Sequence, residues 1–138
     1  TSYRGGHNAG FTDEQCAEFL LFTLDCGATL CDVMGDMFCL HEEELTDNKE
    51  AIEKQIKYID KLHENGAEVL MSSHVFKFTP AQRILEIAME HQRRGADICK
   101  IVTGAETMEQ QLENLKIVNL LKENLKIPFL FFLSFYTH

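Results

Sequence analysis

The sequence predicts an α/β protein built on a parallel sheet. Short apolar runs with the character of buried strands alternate with amphipathic helical segments, and the strand starts recur roughly every 30 to 40 residues, as right-handed β/α units require. These runs are apolar throughout, which is typical of parallel strands covered on both faces. A doubly wound sheet and a β/α barrel fit this pattern equally well, although no GxGxxG motif follows any strand, which argues against a dinucleotide-binding domain.

Four apolar runs are predicted to be strands, and the helices between them have start and stop signals. The predicted strands cover residues 28–34, 68–74, 96–103 and 129–135. Thr12 and Gln15 form a capping box before the first helix, and Thr79 is the expected N-cap of a helix with Pro80 in its first turn. The helix faces expected to pack on the sheet consist of Ile52, Ile56 and Ile59; of Ile84, Leu85, Ala88 and Met89; and of Leu112, Leu115, Val118 and Leu121.

Length and composition limit the domain count and the class of partner. The 138 residues fit one domain, whereas a complete eight-unit barrel needs about 200 or more. A net charge of −9, from 22 acidic and 13 basic residues, argues against nucleic acid or an anionic membrane as the partner. Five cysteines without CxxC spacing indicate reduced thiols, and no apolar run reaches about 18 residues. We therefore expect a soluble, cytoplasmic protein with a small-molecule partner.

Lys100 interrupts an otherwise apolar strand. Burying an ammonium group is unfavourable unless the group is paired or neutral. On an edge strand the lysine would simply extend its charged end to water. In a site, it would be an amine that attacks a carbonyl group and forms an imine. Strand parity places Lys100 on the same face as Ile98 and Val102, opposite Cys99 and Ile101.

His74 ends the preceding predicted strand, after Ser72 and Ser73. In parallel α/β folds, binding sites assemble at the carboxyl ends of the strands. A single histidine is more often a structural residue whose hydrogen bonds are satisfied. Neighbouring strands lie about 4.8 Å apart, however, so His74 and Lys100 could meet over one small substrate.

These motifs resemble type I 3-dehydroquinate dehydratases. The resemblance rests on Met71-Ser-Ser-His74-Val-Phe, on Thr79-Pro80 and on Ala96-Asp-Ile-Cys-Lys100-Ile, and it extends from Thr1 to about Pro128. Residues 1–4 resemble the family's third barrel strand, which ends in an arginine, here Arg4. The resemblance implies an incomplete (β/α)8 TIM-type barrel in one domain, residues 1–138, with about strands 3–7 and without the first two strands and the C-terminal part.

The same resemblance implies a reaction and a role for several residues. The family converts 3-dehydroquinate to 3-dehydroshikimate and water in the shikimate pathway, without a metal or organic cofactor, and its members often form homodimers. Lys100 would form the Schiff base, His74 would be the general acid and base, and Arg4 would bind the substrate. The supporting residues implied by the resemblance are Asn8, Asp32 and Ser72.

The chain departs from the family pattern near the histidine. Asn8 occupies the position where the family has an acidic or amide residue that orients the catalytic histidine, and Met34 replaces an acid two residues after Asp32. An amide can hydrogen-bond the ring of His74 but cannot stabilise its cation as a carboxylate would.

Three other functions are weighed against the dehydratase. The chain could be an inactive relic or subunit that self-associates through open barrel edges, or an imine-forming enzyme of the aldolase type. A metal site built from Asp36, Cys39, His41 and residues 42–44 has no recognised ligand spacing, and an acidic run is usually a solvated loop. We therefore expect no metal.

Overall fold

The computed structural model describes residues 1–135, with the backbone alone at position 135, so the last three residues of the predicted domain lie outside it. A parallel sheet in the order β1-β2-β3-β4 is formed by Leu30–Met34, Glu68–Val75, Ile98–Ala105 and Phe129–Phe135. The helices α1, α2, α3 and α4 are Asp13–Asp25, Lys49–Glu64, Ala81–Arg93 and Met108–Asn124, and a 3-10 turn covers Gly6–Asn8. Each predicted strand is therefore found, with its ends shifted by at most two residues.

The packing of the helices distinguishes the two architectures that the sequence leaves open. The strand side chains that point away from Lys100 pack in two buried clusters with residues of all four described helices, such as Leu20, Ile59, Ile84 and Ile117. A doubly wound sheet would carry helices on both faces and reverse its strand order. Sequential order with the helices on one face is the arrangement of a β/α barrel.

The second face of the sheet is only partly covered in the described chain. Leu30, Leu130 and Phe132 point to this face and are exposed. The expectation that both faces are covered is therefore wrong for the described residues. Residues 1–4, predicted as a barrel strand, lie beside β1 but do not form a strand: the Ser2 amide donates to the Asp32 carbonyl at 2.8 Å.

Capping contacts confirm one predicted helix start and correct another. The Thr12 hydroxyl accepts from the Gln15 amide, and the Gln15 side chain accepts from the Thr12 amide, which completes the capping box. Helix α3 instead begins after Pro80 without a side-chain cap. The Thr79 hydroxyl donates to the Lys77 carbonyl, at 3.4 Å, and among the described residues it accepts no hydrogen bond from the first turn of the helix.

The predicted core faces of α3 and α4 are partly wrong. In α4 the side chains of Leu112 and Leu115 are 54% and 53% exposed, while Ile117 and Leu121 pack against the sheet. In α3 Ile87 is buried and Met89 is exposed. Helix α4 carries two apolar stripes, and the period of the pattern alone cannot show which one meets the sheet.

Among the described residues, no helix is both long enough and apolar enough to cross a membrane.

Candidate active site

The structure brings His74 and Lys100 together on the face of the sheet opposite the helices, with His74 near the carboxyl end of β2 and Lys100 at the third residue of β3. The sheet register pairs Ser72 with Lys100 and His74 with Val102, so both side chains project from the face opposite the helices. The Lys100 Nζ lies 3.1 Å from the His74 Nε2. The two residues singled out from the sequence therefore form one hydrogen-bonded pair.

Glu44, in the loop between β1 and α2, holds the other side of the His74 ring. One carboxylate oxygen lies 2.7 Å from the His74 Nδ1 and also accepts the His74 backbone amide at 2.8 Å. A carboxylate only accepts hydrogen bonds, so Nδ1 carries the proton. When a single proton occupies the ring, the lone pair of Nε2 therefore faces Lys100.

A cavity of about 380 Å³ opens over the pair and is lined by Thr1, Tyr3, Asp32, His74, Phe76 and Lys100. Tyr3 meets the His74 ring edge-on, and Phe76 stacks on it, each with ring centroids 6.0 Å apart. The imidazole is thus held between two aromatic rings, while its Nε2 stays directed at the amine.

Asp32 and Ser72 form a fixed acidic group in this cavity. The Ser72 hydroxyl donates to one Asp32 oxygen at 2.6 Å, and the Thr1 hydroxyl donates to the other at 3.1 Å. Ser72 is fully buried, whereas Asp32 lines the cavity. The carboxylate is therefore oriented by its neighbours and available to a polar substrate.

Comparison with known proteins shows the family of this chain. The family model for Type I 3-dehydroquinase matches residues 6–132. The chain belongs to the type I 3-dehydroquinase family. A 3-dehydroquinate dehydratase from Alkaliphilus oremlandii is 39% identical over 87 residues, which cover 62% of this chain and 33% of that protein.

Solved structures share the fold at low sequence identity. The 3-dehydroquinate dehydratase of Enterococcus faecalis superposes with a TM-score of 0.72 at 21% identity, covering 95% of this chain and 50% of that one. The enzyme from Geobacillus kaustophilus gives 0.75 at 14% identity, covering 99% and 56%. The chain thus spans a third of its curated relative and about half of these structures, as a partial (β/α)8 barrel.

The predicted family residue Arg4 lies in an ion-pair cluster outside the residues that line the cavity. Its guanidinium donates to both Asp13 carboxylate oxygens, to the Asp36 carboxylate and to the Asp36 carbonyl, at 2.7 to 2.9 Å. Burial by itself lowers the pKa of Arg4, but the hydrogen bonds and charges of Asp13 and Asp36 raise it above its usual value. Substrate binding by Arg4 stays a prediction, and these carboxylates compete with it.

Among the described residues, Asn8 makes no hydrogen bond to His74, contrary to the expectation from the family pattern. Its amide donates to the carbonyls of Thr1 and Tyr3, at 3.0 and 2.8 Å, and so secures a segment that lines the cavity. The residue on His74 is Glu44, which the sequence analysis assigned to a solvated acidic loop. No local spacing could have identified it, because 30 positions separate the two residues.

Proposed function

We propose that this chain carries the catalytic pair of a 3-dehydroquinate dehydratase, a hydro-lyase that converts 3-dehydroquinate to 3-dehydroshikimate and water through a Schiff base on Lys100. The observation that carries the proposal is the 3.1 Å contact between the Lys100 Nζ and the His74 Nε2, inside a cavity on the face of the sheet opposite the helices. We further propose that the protein acts in the shikimate pathway as a cytoplasmic homodimer without a cofactor.

The first step forms the imine. The His74 Nε2 accepts a proton from Lys100, and the neutral amine attacks the ring ketone of the substrate, which forms a carbon–nitrogen bond. Protonation of the former carbonyl oxygen lets it leave as water, and the product is an iminium ion on Lys100. The iminium then withdraws electrons from the neighbouring carbon.

The second step eliminates the hydroxyl group. The His74 Nε2 removes a proton from the carbon next to the iminium, which gives an enamine. The enamine electrons return and break the carbon–oxygen bond of the hydroxyl one carbon further on, and His74 returns its proton so that water leaves. Hydrolysis of the conjugated iminium releases the product and regenerates Lys100, so one water is lost overall.

Glu44 and Asp32 provide the electrostatic setting of these steps. When His74 holds the transferred proton, the Glu44 carboxylate 2.7 Å from Nδ1 stabilises the imidazolium. The Asp32 carboxylate, fixed by Ser72 and Thr1, can accept hydrogen bonds from substrate hydroxyl groups. Lys100 is the one lysine or arginine among the described cavity residues. The imine needs this lysine, which leaves no second lysine or arginine among them to pair with the carboxylate of the substrate. We therefore propose that this part of the barrel receives the ketone end of the substrate.

The experiment that tests the proposal is trapping of the imine. The protein is incubated with 3-dehydroquinate and then with borohydride, and the modified peptide is located by mass spectrometry. We expect a reduced adduct on Lys100 that is lost in Lys100→Ala. Lys116→Ala is the matched control, because the Lys116 side chain is 74% exposed on α4 and should leave the adduct unchanged.

The inactive-subunit alternative is favoured by one observation, the exposed apolar side chains of Leu30, Leu130 and Phe132 on the open sheet face. A folded sample that gives no adduct, yet associates through this face, would replace the dehydratase with that alternative. An adduct formed with pyruvate and not with 3-dehydroquinate would instead indicate an enzyme of the aldolase type.

A further inference from the structure

A second histidine lies beneath the candidate site, on the helix side of the sheet. His91 of α3 is fully buried, and its ring reaches residues of both β2 and β3. Its Nε2 lies 2.9 Å from the Ser73 hydroxyl, and its Nδ1 lies 3.3 Å from the Cys99 sulfur. Neither Ser73 nor His91 reaches the cavity that holds Lys100.

The Glu44 carbonyl can only accept a hydrogen bond, and this fixes the direction of the other hydrogen bonds in the group. The Ser73 hydroxyl donates its only hydrogen to the Glu44 carbonyl at 2.7 Å, so it must accept from the His91 Nε2–H. The His91 Nδ1 is then unprotonated and accepts the thiol hydrogen of Cys99. Burial lowers the pKa of His91 to about 3 and raises the pKa of Cys99 to about 12, so both groups are neutral as this arrangement requires.

These hydrogen bonds form a relay from Cys99 through His91 and Ser73 to Glu44, the residue whose carboxylate contacts His74. Glu44 has a φ of 47°, in the left-handed region that non-glycine residues rarely adopt. Its carbonyl is fixed by Ser73, and its carboxylate contacts His74. Gly35 leaves the room for this junction, since a Cβ there would lie 2.5 Å from the Glu44 carbonyl oxygen and 2.9 Å from the Ser73 Oγ.

Arg94 fixes the same loop on both sides of Glu44. Its buried guanidinium donates to the Gly35 carbonyl at 2.9 Å and to the Thr46 carbonyl at 2.7 Å. The loop therefore has two anchors near its ends and one at Glu44 itself. The middle anchor, the hydrogen bond from Ser73, acts directly on the backbone of Glu44.

We infer that the relay from Cys99 through His91 and Ser73 to the Glu44 carbonyl positions Glu44 so that its carboxylate stays on the His74 Nδ1. This inference rests on the proposed function for its kinetic consequences, while its structural consequence concerns the protonation site on His74. Ser73 and His91 are thus positioning residues, and Glu44 transmits their effect to the acid–base group.

The test compares Ser73→Ala with Thr103→Val. Thr103 is a matched control because its hydroxyl is also buried on the helix side of the sheet but has no hydrogen-bond partner in the described chain. In Ser73→Ala we expect kcat to fall about 10-fold or more with KM within about twofold, as for losses of outer-shell partners. Thr103→Val should keep both constants.

A second readout does not need turnover. In ¹⁵N spectra of histidine-labelled protein, recorded at a pH where the His74 ring carries one proton, the parent should show that proton on Nδ1, and Ser73→Ala should show a mixture of Nδ1–H and Nε2–H forms. For His91, we expect His91→Gln, whose amide can still donate to Ser73, to retain the parent tautomer, and His91→Met to lose it. Circular dichroism and thermal unfolding establish that each variant is folded.

Two results would overturn the inference. One is a folded Ser73→Ala variant that keeps a single Nδ1–H form of His74. The other is a decrease of kcat in Thr103→Val as large as that in Ser73→Ala. Failure of the proposed function is a separate outcome, namely no borohydride adduct on Lys100 in the parent, and the ¹⁵N comparison still decides the role of the relay in that case.

Discussion

His74 and His91 are linked to opposite ends of Glu44, one directly and the other through Ser73, and they acquire opposite properties. The carboxylate of Glu44 binds the ring of His74 directly, whereas its carbonyl is reached from His91 through Ser73. His74 has a carboxylate on one nitrogen and an amine on the other, at the edge of a cavity. His91 has a hydroxyl and a thiol as neighbours and is fully buried.

The contrast shows that the neighbours of an imidazole, and not the residue type, decide its chemistry. A proton added to His74 meets a carboxylate and can be stabilised and passed on. A proton added to His91 would meet burial first and then the charge of Arg94, only partly offset by Glu90, and its pKa is therefore lowered to about 3. We therefore propose that His74 moves protons, whereas burial holds His91 neutral as a donor to Ser73.

Removing each histidine is the strongest test of this contrast. His74→Ala should reduce the rate of dehydration by roughly 10² to 10⁴-fold, the usual contribution of a positioned acid–base group. His91→Gln keeps a donor to Ser73 and should reduce the rate of dehydration far less. Steady-state assays with 3-dehydroquinate measure both, and equal losses in the two folded variants would contradict the division of roles.

Glu44→Gln sharpens the comparison at the shared residue. The substitution retains the backbone carbonyl on the relay and an acceptor for the His74 Nδ1–H, but removes the negative charge that stabilises the imidazolium. We expect kcat to fall by about 10 to 100-fold, as for other carboxylate partners of catalytic or metal-bound histidines. Glu42→Gln, a change in the same acidic run at a side chain that is 76% exposed, is the control and should have the parent's kcat.

The smallest expected effect is a change in the pH dependence of stability that arises from His91. Its pKa is about 3 in the folded protein against 6.5 for the ordinary group, so the unfolded chain binds more protons between these values. Stability should therefore fall as the pH decreases through this window, by about 1.4 kcal/mol per unit. We expect the free energy of unfolding to fall between pH 6.5 and pH 5 by about 2 kcal/mol less in His91→Gln than in the parent, as measured by urea unfolding.

Thr103→Val serves as the control in the same titration, because it leaves His91 in place. The other histidines are present in both the parent and His91→Gln, so the difference between the two isolates His91. Identical pH dependence in the parent and His91→Gln would mean that His91 is not held neutral by the fold.

The fold was largely predictable because its signals are local. Apolar runs mark the strands, and the Thr12 capping box marks the start of α1. The placement of Lys100 and His74 on one face also followed from the chain, since strand parity fixes the face and adjacent parallel strands lie side by side. These features depend on residues within a few positions of each other or on the regular geometry of a parallel sheet.

Helix faces and side-chain partners were less predictable. Helix α4 has two apolar stripes, and only docking on β3 and β4 selects Ile117 and Leu121 over Leu112 and Leu115. Substrate binding by Arg4 stays a prediction, but its partner Asp36, which is 32 positions away, could not be read from the sequence. In both cases the sequence offers several chemically equivalent choices.

The sequence by itself determined the order of strands and helices, the parallel sheet and the two residues proposed for the chemistry. The tertiary structure decided that all the described helices lie on one face, that Glu44 and not Asn8 holds His74, and that His91 is joined to the same loop through Ser73. The physical reason is range. Periodicity and capping act over one or two turns of chain, whereas a hydrogen bond between a loop and a strand 30 residues away forms only when the whole sheet has set both in place.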